Sequence, residues 1–124
     1  MEKVEEFFDR GVLHAGHPPI VDYVTLATSS KNLKAGTVLK SASGGLAPAR
    51  DSDTPCAVLL ADVPAHSSEA TTGVPVVVHG LVVKSRLLDF SSSEEAVASE
   101  TLSAKLPAAG IYLVQGEWSE SNFH

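Results

Sequence analysis

The sequence predicts a mostly β domain with one short helix, built either as a β-clip-like bent ribbon or as a small barrel. A chain of 124 residues falls within the size range of a single domain. Short runs rich in β-branched residues alternate with Gly and Pro turns along most of its length, which is typical of such folds. Only the segment after Ser91 combines helical spacing with a serine N-cap candidate. The strand order does not follow from these patterns.

Residues 1–30 differ from the rest of the chain. An acidic opening is followed by two glycines and by Pro18-Pro19, which prevent a continuous helix. The segment Ile20–Thr28 mixes β-branched and aromatic residues and is expected to be a strand. Such a strand needs a neighbour, either inside this fold or at the open sheet edge of another protein. We therefore expect residues 1–30 to form a detachable N-terminal arm, which can be flexible, ahead of the main domain.

Residues 31–116 are expected to form one β-rich domain. Thr37–Lys40 and Leu46-Ala47 flank the turn sequence Ser43-Gly44-Gly45, which predicts a hairpin. Cys56–Ala61 follows as an apolar run whose length and flanking prolines favour a buried strand. The most strongly β-branched segment is Val74–Val83, in which His79-Gly80 permits either one long strand or a bent ribbon.

The C-terminal part of that domain contains the predicted helix. Ser91 is its N-cap candidate, two glutamates occupy the first turn, and the apolar residues continue at approximate helical spacing until Pro107. Those apolar residues are Ala96, Val97, Leu102 and Leu106. Ile111–Gln115 is expected to be the last strand, and residues 117–124 form a polar tail.

Composition and charge disfavour several classes of function. The formal net charge is −6 and the sequence pI is about 5.2, so the field of the chain repels a polyphosphate, and nucleic acid is not an expected partner. No stretch approaches the ~20 apolar residues of a membrane-spanning helix, and the N-terminus has no secretory apolar region, which indicates synthesis in the cytoplasm and no membrane partner. A single cysteine, Cys56, excludes an internal disulfide.

Candidate catalytic and metal-binding residues have simpler explanations. Cys56 opens an apolar run, as small buried cysteines do. His14 and His17 lie in a segment with Gly and Pro that does not hold them on one face, and a zinc site needs three or four converging ligands. His66 is interpreted as a loop residue, and His79 as a turn residue or an interior residue.

Two further patterns also lack the context that chemistry requires. No Lys-Ser or Lys-Thr pair opening a helix follows Gly44-Gly45, so this pair is a turn and not a phosphate cradle. Asp51 and Asp53 are explained by turn chemistry better than by a catalytic pair. We therefore expect no enzyme activity, no catalytic residue, no metal and no cofactor.

The order and spacing of the body segments resemble the head decoration protein family typified by protein D of bacteriophage lambda. The resemblance runs from about Ala35 to Val114 and is one of segment pattern. It is carried by Gly36–Lys40, the turn Gly44–Ala47, Cys56–Val63, the strand from Val76 ending in Lys84-Ser-Arg-Leu-Leu, an acidic Ala-rich helix, and Ala108–Val114.

The resemblance implies a β-clip-like body, assembly as a homotrimer, and attachment to threefold positions outside the expanded phage head. It also implies that the N-terminal arm adds a strand to the major capsid protein, with Pro18, Ile20, Tyr23, Val24 and Leu26 as contact residues. The virion would then be the site of action. This arm is more apolar than the Ser/Thr-rich arm expected in the family, which predicts either an arm already folded in the free protein or a different docking mode.

Two other functions are compatible with a small β domain. A binding module of a phage tail or cell-surface complex would need a concave surface with aromatic platforms, and aromatic residues make up only 6% of the chain. A small hydrolase using Cys56 with a histidine would need a reactive thiol of depressed pKa.

Overall fold

The computed structural model describes Val12, residues 19–89 and residues 96–114. The strands are β1 (Ile20–Leu26), β2 (Val38–Ala42), β3 (Gly45–Pro48), β4 (Pro55–Leu59), β5 (Thr71–Val83), β6 (Leu88–Asp89), β7 (Ala96–Val97) and β8 (Ile111–Val114). Within these ranges a short α-helix, α1, covers Glu100–Ser103, and 3-10 helices cover Lys84–Arg86 and Leu106–Ala109.

The fold is mostly β, and its main sheet closes into a five-stranded barrel. The strands follow the order β1-β3-β2-β4-β5, and pairing of β1 with β5 completes the ring. β8 continues the sheet beyond the barrel by pairing in parallel with β5. The predicted class, mostly β with one short helix, is confirmed, and of the two predicted shapes the structure has the small barrel.

Most of the predicted strands are present close to their expected positions. β2 and β3 form the predicted hairpin, β4 is the predicted buried run, and β8 is the predicted last strand. β5 is one continuous strand of 13 residues. The pairing of β5 changes between His79 and Gly80. Residues up to His79 pair with β1, and residues from Gly80 onward pair with β8.

Two hydrophobic clusters lie on opposite sides of the barrel wall. Along β4 and the residue after it, alternate side chains face opposite ways, so Ala57 and Leu59 enter one cluster while Val58 and Leu60 enter the other. The first cluster draws residues from all five barrel strands and is the barrel interior. The second packs the outer side of β2, β4 and β5 against α1, the second 3-10 helix, β8 and Val12.

The predicted helix is much shorter than expected and begins later. Ser91 lies outside the described residues, and Ala96-Val97 form β7, which pairs with β6. The helix N-cap is Ser99, whose Oγ accepts a hydrogen bond from the N–H of Leu102 at 3.2 Å. The predicted start of the helix was wrong because pairing with β6 holds Ala96 and Val97 in an extended conformation. Leu102 and Leu106, the last two apolar residues of the predicted helix, are buried.

Candidate interaction surface

The strand predicted for the N-terminal arm lies in the barrel wall. β1 runs antiparallel to β5, with Val24 opposite Val74, and contacts β3 at Leu26 and Leu46. The sequence allowed this strand a neighbour either inside the fold or on another protein, and the structure has the neighbour inside the fold. Residues 1–11 and 13–18, which include Pro18, lie outside the described residues.

The described residues predicted to contact a capsid protein divide into two groups. Leu26 is 0% exposed, and Val24 packs against the barrel interior. Ile20 and Tyr23 are 57% and 52% exposed. Ile20 and Tyr23 therefore have the most accessible side chains of the four, and the sequence pattern did not distinguish them from Val24 and Leu26.

An exposed apolar group lies where β1, β5 and β8 meet. Ile20 is opposite His79 across the β1–β5 pair, and the His79 ring meets Tyr112 edge-on with 6.0 Å between centroids. Tyr112 is 44% exposed. We refer to the exposed side chains of Ile20 and Tyr112, together with the half-buried His79 ring that lies next to both, as the apolar group. Grouped apolar exposure of this kind commonly marks a contact surface.

β8 presents an open edge beside the apolar group. Within the described ranges, β8 pairs only with β5. Its sequence, Ile-Tyr-Leu-Val, contains no charged residue and no proline. Charged residues and proline usually protect an edge strand from pairing with other chains. The edge and the apolar group thus form the part of the described surface best suited to contact with another protein.

The cysteine is poorly placed for nucleophilic chemistry. Cys56 is a half-buried free thiol on β4, and burial raises its pKa above the ordinary value. A raised pKa leaves less thiolate at neutral pH, whereas a nucleophile needs a lowered one.

His66 has a clear structural role. Its Nδ1 lies 2.9 Å from the Pro64 carbonyl oxygen and its Nε2 lies 2.8 Å from the Ala27 carbonyl oxygen. Its backbone also pairs with Ser29. The ring therefore ties the loop after β1 to the loop before β5. His14 and His17 are outside the described residues, within which no group of three or more His, Cys, Asp or Glu side chains could hold a metal.

The loop of Asp51 and Asp53 is an anchored turn. The N–H of Arg50 donates to Asp53 Oδ2 at 2.8 Å, and Lys40 Nζ lies 3.1 Å from the same oxygen. The backbone hydrogen bond, followed by Lys40, holds the pKa of Asp53 below its ordinary value. Lys105 Nζ donates to the carbonyl oxygens of Asp51 and Asp53 at 2.7 and 2.9 Å, which fastens the loop to the segment after α1.

A cleft that sequence analysis did not anticipate lies where β1 and β3 end. Because these two strands are parallel, their carboxyl ends leave the barrel at the same end. The loops that follow border an open cleft of about 280 Å³, which is lined by Thr28, Ser29, Ser30, Lys31, Leu33, Pro48 and Arg50. The residues come from two distant stretches of sequence, so no local motif signals their proximity.

Known proteins do not place this chain in a family: no family model, no curated protein and no solved structure matches it. In the parts of the chain that the structure describes, no helix has both the length and the apolar character needed to span a bilayer.

Proposed function

We propose that this protein is a phage head decoration protein that binds the outside of the expanded capsid as a homotrimer and stabilises the shell against the pressure of packaged DNA. The proposal begins from the resemblance in segment order between Ala35 and Val114. Its partners are two further copies of the chain and the major capsid protein, and it requires no catalytic residue, metal or cofactor.

The observation that carries the proposal is the location of the exposed apolar residues. Ile20, Tyr23 and Tyr112 are the exposed large hydrophobic residues of the described ranges, and two of the three belong to the apolar group beside the open edge of β8. A protein that works by contact needs such a surface and no reactive cavity. A trimer that binds the expanded shell better than other shell states stabilises it by mass action.

Sedimentation equilibrium over a concentration series tests the assembly. We expect a mass three times the 12.9 kDa of the chain. A monomer at every concentration would contradict a preformed trimer and favour the alternative of a small barrel binding module, for which exposed Tyr23 and Tyr112 offer aromatic contacts.

Cosedimentation with expanded, DNA-free phage shells tests the capsid partner. We expect the protein to pellet with expanded shells, to saturate at three chains per threefold position, and to leave unexpanded shells unbound. The Tyr23→Ser variant should bind more weakly, whereas Ser41→Ala, a change at an exposed polar position on β2, should bind normally. Equal binding to expanded and unexpanded shells, or none to either, would contradict the proposal.

A further inference from the structure

The apolar group contains a histidine between its two exposed side chains. The His79 ring is half-buried on β5, Ile20 lies opposite it across the β1–β5 pair, and the ring of Tyr112 meets it edge-on. Histidine is the side chain that ordinarily changes its charge between about pH 5 and 8. A protein that covers Ile20 and Tyr112 therefore also covers an imidazole.

The imidazole packs against an anchored turn. A Cβ built on Gly110 would lie 2.9 Å from Nδ1 of His79, so the ring lies close to the backbone just before β8. The N–H of Gly110 donates to the Pro107 carbonyl oxygen at 3.0 Å, and the Gly110 carbonyl oxygen accepts from the N–H of Gly80 at 3.1 Å. Because these hydrogen bonds fix the turn, the ring cannot withdraw toward it when another protein covers the surface.

The titratable groups around His79 come from the strands that pair with β5 in the described residues, which are β1, β4 and β8. These groups are Asp22, Tyr23, Cys56 and Tyr112, and the 3-10 helix before β8 adds none. Cys56 packs against the barrel interior. Asp22 lies opposite Val76, and its Oδ1 accepts from the N–H of Tyr23 at 2.8 Å. Tyr112 is thus the member of this set whose ring meets His79, while the Asp22 carboxylate is engaged at Tyr23.

Covering this surface has different free energies for the two charge states of an imidazole. Burial disfavours the charged form of a histidine, because an ion loses more hydration free energy than a neutral ring does. Association that buries the ring therefore favours the neutral form. Where the free subunit carries the proton, association has to release it, so the association constant falls as the pH falls.

We propose that protonation of His79 regulates self-association through the apolar group. The neutral ring permits a second copy of the chain to cover Ile20 and Tyr112, and the protonated ring weakens this contact. The inference rests on the proposed trimer and adds its regulation by pH. Association is strongest above the pH range in which histidine titrates, and it is lost progressively as the pH falls through that range.

Sedimentation equilibrium at about pH 7.5 and about pH 5.5 tests the proposal, since these values lie on either side of the ordinary histidine range and above that of most carboxylates. We expect the trimer association constant of the native protein to fall at least about tenfold at the lower pH. The upper limit is about tenfold per pH unit for each chain, because each His79 releases one proton. Far-ultraviolet circular dichroism at both pH values checks that the fold is unchanged.

A neutral replacement identifies the group that titrates. His79→Gln should associate at pH 7.5 and lose the pH dependence, whereas the matched control His124→Gln should keep it. A native association constant that is unchanged or rises on acidification, or a pH dependence that survives in His79→Gln, would overturn the regulation and leave the trimer in place. A monomer at both pH values would contradict the trimer itself and, with it, its regulation.

A second measurement does not depend on the variant. The chemical shift of the His79 ring is titrated by nuclear magnetic resonance in dilute samples, where the chain is dissociated, and in concentrated samples, where it is assembled. We expect the titration midpoint to be lower in the assembled protein, because the covered ring binds a proton less readily. Equal midpoints would show that His79 stays outside the interface, and would overturn the proposal even where His79→Gln fails to associate.

Discussion

Gly36 brings two backbone segments closer than any residue with a Cβ allows. Its φ is +102°, and a Cβ built on it would lie 2.1 Å from the Arg86 carbonyl oxygen. The N–H of Gly36 donates to Leu59 and its carbonyl oxygen accepts from Leu88, at 2.7 and 2.9 Å. The glycine therefore joins β4 to the start of β6, and a movement that relieves the clash must disturb one of these bonds.

We expect Gly36→Ala to lower the free energy of unfolding by about 3 kcal/mol or more, since backbone strain and a clash with backbone act together. Gly44→Ala is the control, because Gly44 has a φ of +83° but nothing within 4 Å of its Cβ position, so only the cost of about 1–2 kcal/mol for left-handed backbone applies. Urea unfolding measures both. Equal losses would contradict the steric explanation.

Ser99 and Ser103 are two serines on one short helix with opposite surroundings. Ser99 Oγ accepts from the N–H of Leu102 and donates to Asp51 Oδ1. Ser103 is 1% exposed, and its Oγ has no hydrogen-bond partner among the described residues. The first hydroxyl therefore stabilises the fold, whereas the second is buried without compensation from any described residue.

Ser99→Ala should reduce the free energy of unfolding by about 0.5–2 kcal/mol through loss of the N-cap. Ser103→Ala should leave it unchanged or raise it, because an unpaired buried hydroxyl costs free energy. Thermal unfolding compares the pair. A Ser103→Ala loss above about 1 kcal/mol would indicate that Oγ binds a partner in the rest of the chain.

At the scale of elements, β1 has one end in the barrel interior and one end at the surface. Leu26→Ala should cost about 2–5 kcal/mol because it leaves a cavity in the barrel. Ile20→Ala, at the exposed end, should change the free energy of unfolding by less than about 0.5 kcal/mol. Denaturant unfolding of both variants measures the difference. Comparable small losses would contradict the placement of β1 in the barrel wall.

The loop after β3 should add a pH-dependent contribution to stability. The pKa of Asp53 is lower in the folded protein than its ordinary 3.8, so the free chain binds the proton more readily. The contribution is therefore complete above the unfolded pKa and is lost as the pH falls through the folded one. Asp53→Asn should cost about 0.2–1 kcal/mol at pH 7, and the difference from the native protein should shrink below pH 3.8. Urea titrations across this range provide the check, and a constant difference would rule out the carboxylate as the cause.

At the scale of the whole molecule, the apolar group is the strongest candidate for association. Ile20→Ser/Tyr112→Ser should weaken self-association about tenfold or more, since buried aromatic and aliphatic anchors dominate interface free energies. Far-ultraviolet circular dichroism should remain that of the native fold, because both side chains are exposed. Sedimentation equilibrium measures the association constant. An unchanged constant would place the interface elsewhere, and trimer formation itself stays a prediction.

The sequence by itself determined the features that depend on near neighbours. Apolar or β-branched runs and the turn at Ser43-Gly44-Gly45 were enough to locate β2, β3, β4, β5 and β8, because strand formation and turn chemistry are properties of short segments. The interpretation of Asp51 and Asp53 as turn residues agrees with the hydrogen bond from Arg50. The mostly β class followed from the same local signals.

Only the tertiary structure decided which distant segments meet. Pairing with β5 placed β1 inside the barrel, pairing with β6 turned the first part of the predicted helix into β7, and the parallel exit of β1 and β3 brought Lys31 beside Arg50. Local propensity differs little between a strand that pairs within its own chain and one that pairs with another protein. The free energy that decides between them comes from contacts between residues far apart in sequence, which no short window contains.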